Sequence, residues 1–238
     1  MHVKAEPAIL YLGTPVVLIS TVNQNGSYNL APMSSAFWLG WRCVLGLAAN
    51  SRTPQNMRRT GECVLNLPST REVAAVNRLA RTTGSDPVPP TKINRGYRHV
   101  EDKFGVAGLT PQPSETVGAQ RVRECPVQLE AVVEQVHGLA ASDPRLREKV
   151  LVFEVRVQRV HADESILVDG VRDRIDPDKW RPLIMSFQKF YGLAPGELHD
   201  STLAKIAESF YRSPDIDRSH LFSRQAAPLE SLLSGIIP

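Results

Sequence analysis

The sequence predicts a mainly β fold with inserted helices: an antiparallel barrel, closed or split, of Greek-key type. Three observations carry this. At least six short apolar or alternating runs are separated by turn signals rather than by regular crossover helices. The capped helical segments fall at crossings between strands. No G-x-G-x-x-G stands at a strand-to-helix turn, which sets aside a dinucleotide-binding doubly wound sheet.

The elements follow in order. "PVVLISTV" (Pro15 to Val22) is a β-branched run that reads as a strand buried on both faces. "NQNG" then places Asn25-Gly26 in a turn, and "SYNLAP" completes a hairpin. "CVLGLAA" (Cys43 to Ala49) and "ECVLNLP" (Glu62 to Pro68) are two further short strands. Between them "SRTPQNMRRTG" has the marks of a short helix: Thr53 as N-cap, Pro54 at the first helical position and Gly61 to end it in a left-handed residue. In "STREVAAVNRLA", Ser69 and Glu72 stand three apart as a capping box, so a second helix runs to about Ala80.

From Arg81 to Pro126 the pattern becomes irregular and rich in proline and glycine, a segment expected to be functional or mobile. Order returns in "VQLEAVVEQV", where Val127, Leu129, Ala131 and Val133 share a face. It continues in "LVFEVRVQRV", where Phe153, Val155 and Val157 alternate with Glu154, Arg156 and Gln158. The tail holds the irregular "DPDKWRPLIMSFQKFYGL" and a helix candidate from Ser201 to Arg212, with Leu203, Ile206, Ala207 and Phe210 on one side. A last short helix is expected from Pro228 to Gly235.

At 238 residues the chain suits one large domain, or a domain with an elaborated tail. Its 42% hydrophobic and 22% charged residues describe a globular protein rather than a disordered one. The net charge of +3 is spread among acids instead of gathered into a stripe, so nucleic acid is not an expected partner. No apolar run approaches the length of a membrane span, and the start lacks the pattern of a secretory leader. Cys43, Cys63 and Cys125 are odd in number and show no C-x-x-C spacing; they read as buried reduced thiols, and the expected compartment is the cytoplasm.

Chemistry-bearing motifs are few. The six histidines have no ligand spacing, so no metal is expected. The carboxylates of "HADESILVDGVRDRIDPDKW" lack the glycine and terminal glutamate of a calcium loop and read as solvated turns. "SFQK" at Ser186 matches S-x-x-K, but its companion motifs are absent, and no nucleophile elbow exists. The start of the "SRTPQNMRRTG" helix remains: unpaired amides, partial positive charge and Ser51, Arg52 and Thr53 beside them can hold a phosphate. By itself it also reads as a well-capped connector.

The stretch from Pro15 to Pro68 resembles the flavin reductase-like family of FMN-binding split barrels. The family's N-L-A-P-x-S-x-F stands here as Asn29, Leu30, Ala31, Pro32, Ser34 or Ser35, and Phe37. Its S-x-T-x-x-N-[IM]-x-x-T-G stands as Ser51, Thr53, Asn56, Met57, Thr60 and Gly61, and the strand ending N-L-P as Asn66, Leu67 and Pro68. "DKFGVAGLT" is similar to the family's K-F-x-x-x-G-L-T region, and "RIDPDKWRPLIMSFQKFYGL" to the end of the domain. The resemblance covers about Tyr11 to Leu193, implying a domain over 11–193 and a helical extension over 194–238.

The resemblance implies an FMN-binding oxidoreductase, an NAD(P)H-dependent flavin reductase that takes hydride from the nicotinamide, either free-standing or supplying a partner oxygenase. The alternative is a non-catalytic FMN-binding or electron-carrier protein on the same barrel. The FMN phosphate would be bonded by Ser51, Thr53, Asn56 and backbone amides, with Arg52 adding charge. The ring would lie along Asn29, Ala31, Pro32, Met33, Ser34 and Ser35. No catalytic side chain is expected, because hydride transfer is the cofactor's chemistry. A homodimer with the flavin near the interface is implied, with Trp180, Phe190 and Tyr191 as exposed aromatics available for pocket walls, though simple core or dimer packing is the favoured explanation for them.

Overall fold

A computed structural model of the chain describes residues 1–225, with side chains to residue 219. Strands β1 (Leu12–Pro15), β2 (Val17–Val22), β3 (Tyr28–Met33), β4 (Ala36–Leu39) and β5 (Arg42–Ala48) come first. Helix α1 (Arg52–Thr60), strand β6 (Glu62–Leu67) and helix α2 (Val73–Leu79) follow, then the long strands β7 (Val127–Gly138) and β8 (Val150–Ala162). One antiparallel sheet takes seven of them in the order β3-β2-β6-β7-β8-β5-β4.

That order forces a barrel. β3 and β4 lie at opposite edges of the sheet, yet only Ser34 and Ser35 separate them in the chain. A flat sheet of seven strands is about 29 Å wide at ~4.8 Å per strand, whereas three Cα steps reach only about 11 Å. The sheet must roll until its edges meet. Gly46 N–H donates to the Ser35 carbonyl at 2.9 Å, which extends the β4–β5 pairing into the connection between the two edges.

β2 is buried on both faces, as its apolar run predicts. Val17 and Ile19 point into the barrel with Leu45, Leu65, Phe153 and Val155, and α1 adds Met57 to that core. Leu18 points outward and packs with Leu30, with Val76 and Leu79 of α2, and with Phe104 and Leu109. The capping box also stands as expected, with Ser69 and Glu72 satisfying each other's turn before α2.

The Arg81–Pro126 segment is more ordered than its irregular composition predicts. Thr82–Thr83 pairs in parallel with Arg98–His99, α3 (Lys103–Ala107) packs on α2, and Pro111–Gln112 pairs with Arg121–Val122. Phe104, Ala107, Leu109, Val122 and Cys125 of this segment belong to the outer core. Each short piece contributes at most two buried apolar residues, so no hydrophobic period reveals them.

Near the end of the barrel, β9 (Ile184–Ser186) and β10 (Lys189–Tyr191) form a hairpin that pairs with β1, where an irregular stretch was expected. "SFQK" is its turn, with Phe187 and Gln188 both left-handed (φ 42° and 69°). Trp180 and Phe190 are half-buried against the two cores rather than exposed; Tyr191 is exposed. The helix expected over Ser201–Arg212 is instead two 3-10 turns, Thr202–Lys205 and Glu208–Tyr211. Leu203 and Phe210 are exposed there, so an amphipathic helix would have no surface to offset its nucleation cost. An unanticipated helix α4 (Pro214–Gln225) is held to the barrel where Arg42 Nε meets Asp215 Oδ2 at 3.1 Å. The short helix expected from Pro228 to Gly235 lies outside the described residues.

All three cysteines are free and buried, and burial raises the pKa of each thiol. Asp163 and Asp176 accept the backbone N–H two residues onward, so the acidic stretch does form turns. Among the described residues no helix is long and apolar enough to cross a membrane.

Candidate functional site

Helix α1 starts one turn corner earlier than its sequence implies. Ser51, extended at φ −91° and ψ 154°, occupies the N-cap position; Thr53 lies in the first turn and Pro54 follows it. Proline is tolerated anywhere among the first helical residues because their N–H groups have no partner inside the helix. No side chain caps the amides of that turn, and no acidic residue lies in it. Gly61 ends the helix as expected, left-handed at φ 72° with its N–H on the Met57 carbonyl.

Thr53 is free of capping duty because its hydroxyl serves another bond. Asn29 Nδ2 donates to Thr53 Oγ1 at 3.1 Å, and Asn56 Nδ2 donates to Thr21 Oγ1 at 3.0 Å and Asn23 Oδ1 at 2.8 Å. Thr21 and Asn29 are direct cross-strand partners on β2 and β3. Asn29, Thr53 and Asn56 are each 3% exposed or less, so these side chains form a polar floor beneath the helix start. Ser51 and Arg52 are half-buried and remain reachable from outside.

Arg52 reaches across to the inserted segment, its Nε donating to the Gly84 carbonyl at 3.0 Å. Gly84 approaches so closely that a Cβ there would lie 2.5 Å from Asn29 Oδ1. Behind it, the Lys103 ammonium is 1% exposed and donates to the Leu30 carbonyl at 3.2 Å and to Thr82 Oγ1 at 2.8 Å. Burial, with the charge of Lys92 second, pulls its pKa down to about 7. A cleft of about 340 Å³ opens beside Arg52, walled by the β2–β3 turn and by the inserted segment.

The residues expected along the ring occupy the rest of β3 and the seam. Ala31, Pro32, Met33 and Ser34 are half-buried, and Ser35 is exposed. β3 is an edge strand of the sheet. The structure therefore brings Asn29, Ser51, Arg52, Thr53 and Asn56 together, with Ala31 to Ser35 running away along that edge. Gly84 and the cleft-lining carboxylates Asp86 and Glu101 were not singled out from the sequence, because their neighbours at the site are distant in the chain and no local spacing marks them; Lys103 stood there only as the first residue of the K-F-x-x-x-G-L-T resemblance, with no role given to it.

The family model described as flavin reductase like domain matches residues 10–194. The chain belongs to this family. A protein of Bacillus subtilis (strain 168) described as uncharacterized protein YdfE is 36% identical over 190 residues, 80% of this chain and 88% of that one. Among solved structures, nitrilotriacetate monooxygenase component B from Bacillus cereus aligns with a TM-score of 0.62 at 23% identity, over 80% of this chain and 88% of that one. Flavoredoxin of Desulfovibrio vulgaris (Miyazaki F) aligns at 0.65 and 22% identity, over 85% of this chain and 99% of that one.

These structures share the flavin reductase split-barrel fold with this chain. Membership supports flavin-binding oxidoreductase activity at the level of the family.

Proposed function

We propose that this family member is an FMN-dependent reductase that draws hydride from NAD(P)H. The observation that carries the reading is the start of α1: first-turn amides with no side-chain acceptor, no carboxylate nearby in the turn, and Arg52 beside them. Such an end attracts an anion through its unpaired N–H groups and the helix dipole. The residues present fit a flavin phosphate.

Ser51, Arg52 and the amides of Arg52 and Thr53 would hold that phosphate, with charge-assisted bonds about twice as strong as neutral ones. Asn29, Thr53 and Asn56 form the floor that keeps the helix end rigid, so little ordering remains for binding to impose. The edge of β3 from Ala31 to Ser35 offers backbone groups and small side chains along which a planar ring can lie. Bound FMN would supply the hydride-accepting ring. The protein's part is to position the two rings and exclude water, which needs no acid or base.

Assembly as a homodimer is part of the proposal: edge strand β4 carries Phe37 (54% exposed) and Leu39 (74%), apolar surface suited to a second copy. The three buried free thiols accord with a reducing cytoplasmic setting. An oxygenase as recipient of the reduced flavin is supported by the structural likeness to nitrilotriacetate monooxygenase component B. Anaerobic mixing of the FMN-loaded protein with NADH and with NADPH tests the activity. Bleaching of the flavin band at catalytic rates is expected; silence with both would leave an FMN carrier without reductase activity.

A further inference from the structure

The cleft beside Arg52 has a composition that the flavin ring does not explain. Its walls include Asn23, Asn25, Asn29, Arg52, Asp86, His99 and Glu101, and no Phe, Tyr or Trp lines it. Arg52 is the one permanently charged cation among the lining residues, its Nε is engaged by Gly84, and two carboxylates face the same space. Ser85, between two lining residues, is 6% exposed, and its hydroxyl has no hydrogen-bond partner among the described residues. The cleft's one ring is the His99 imidazole and the rest of the lining is polar or aliphatic, which leaves little surface on which a tricyclic ring could stack. A hydroxylated group finds the carboxylates of Asp86 and Glu101 and the side-chain amides of Asn23, Asn25 and Asn29 among the lining residues.

We infer that this cleft takes the adenosine ribose of the hydride donor, and that the donor is the unphosphorylated dinucleotide, NADH. The inference rests on the reductase reading of the α1 terminus, which places the flavin phosphate at the mouth of the same cleft. A carboxylate accepts the hydroxyl hydrogens of a ribose diol through charge-assisted bonds, the recognition that dinucleotide folds make with an acidic residue. A 2′-phosphate in that place brings nearly two more negative charges against Asp86 and Glu101, with Arg52 already committed. Selectivity for NADH thus comes from repulsion of the alternative as much as from attraction.

Calorimetric titration of the FMN-loaded protein with ADP-ribose and with 2′-phospho-ADP-ribose measures the subsite without turnover. ADP-ribose should bind at least about tenfold tighter, and kcat/KM for NADH should exceed that for NADPH by a similar factor. Asp86→Asn with Glu101→Gln should bring both ratios towards one, and Glu101→Gln alone, which leaves the Gly84–Pro87 backbone untouched, should move them in the same direction. Equal use of NADPH, or ratios unmoved by these variants, would overturn the subsite while leaving the reductase standing. Reduction by neither nucleotide would instead overturn the reductase reading itself.

Discussion

Asn29 and Thr53, 24 residues apart in the chain, share a 3.1 Å hydrogen bond that ties the edge strand β3 to the first turn of α1. The bond is buried, and it makes the helix start part of the barrel wall. Removing Thr53's hydroxyl leaves Asn29 Nδ2 with only a 3.5 Å contact to Thr21. Thr53→Ala should therefore cost about 1–3 kcal/mol in urea unfolding, the usual penalty for a buried donor left without a good partner.

Arg52 sits on the outer side of the same turn and should behave in the opposite way. Arg52→Ala loses one bond to Gly84 and is expected to cost about 1 kcal/mol or less, yet to weaken FMN binding about tenfold or more. Fluorescence titration of FMN set beside urea midpoints separates the two roles. Equal losses of affinity and stability at both positions would make this segment a cap and nothing else.

Gly84→Ala probes the inserted wall. The new Cβ would meet Asn29 Oδ1 at 2.5 Å and Arg52 Cγ at 3.2 Å, and Asn29 is itself held in the buried floor. Relief requires the wall to retreat, at an expected cost of about 1–3 kcal/mol. FMN affinity should fall with it because Arg52 loses its brace. An unchanged Tm in thermal unfolding would show that the segment yields freely.

Lys103 predicts a pH dependence with a definite sign. Its folded pKa of about 7 lies below the ordinary value of 10.5, so between those values the unfolded chain binds a proton that the native chain does not. Stability from this group therefore rises with pH above 7, by up to about 1.4 kcal/mol per unit, and is level below 7, where both states are protonated. Urea unfolding at pH 7 and pH 9 should show the wild type gaining relative to Lys103→Met. No difference in slope between the two would contradict the depressed pKa.

The β9–β10 turn stores removable strain. Phe187 and Gln188 both have positive φ, the pattern of a type I′ turn, which Asn-Gly adopts with least strain. Replacing the pair by Asn-Gly should raise stability by about 1 kcal/mol, seen as a higher Tm. A lower Tm would show that the packing of Phe187 outweighs the backbone gain.

Much of the barrel was legible because its strands are local statements. The double burial of β2, the Asn25-Gly26 turn, the alternation of Phe153, Val155 and Val157, and the Ser69–Glu72 capping box each depend on residues a few positions apart. The ordered motifs from Asn29 to Pro68 likewise led to the family. The N-cap was read two residues late because Thr53 and Ser51 carry the same local signal; the partner that claims Thr53, Asn29, lies on another strand. The Ser201–Arg212 helix failed for a related reason: its apolar spacing is real, but among the described residues Leu203 and Phe210 remain exposed.

By itself, then, the chain's order of residues determined the strands and the capped helices, since these follow from periodicity and short-range hydrogen bonding. Only the tertiary structure decided that Asn29, Thr53, Asn56 and Thr21 meet beneath α1, that Gly84 presses on Asn29, that Lys103 is buried against β3 and that Asp86 and Glu101 line the same cleft as Arg52. Those relationships are contacts between segments that loop closure brings together, and burial, not sequence proximity, sets their energies.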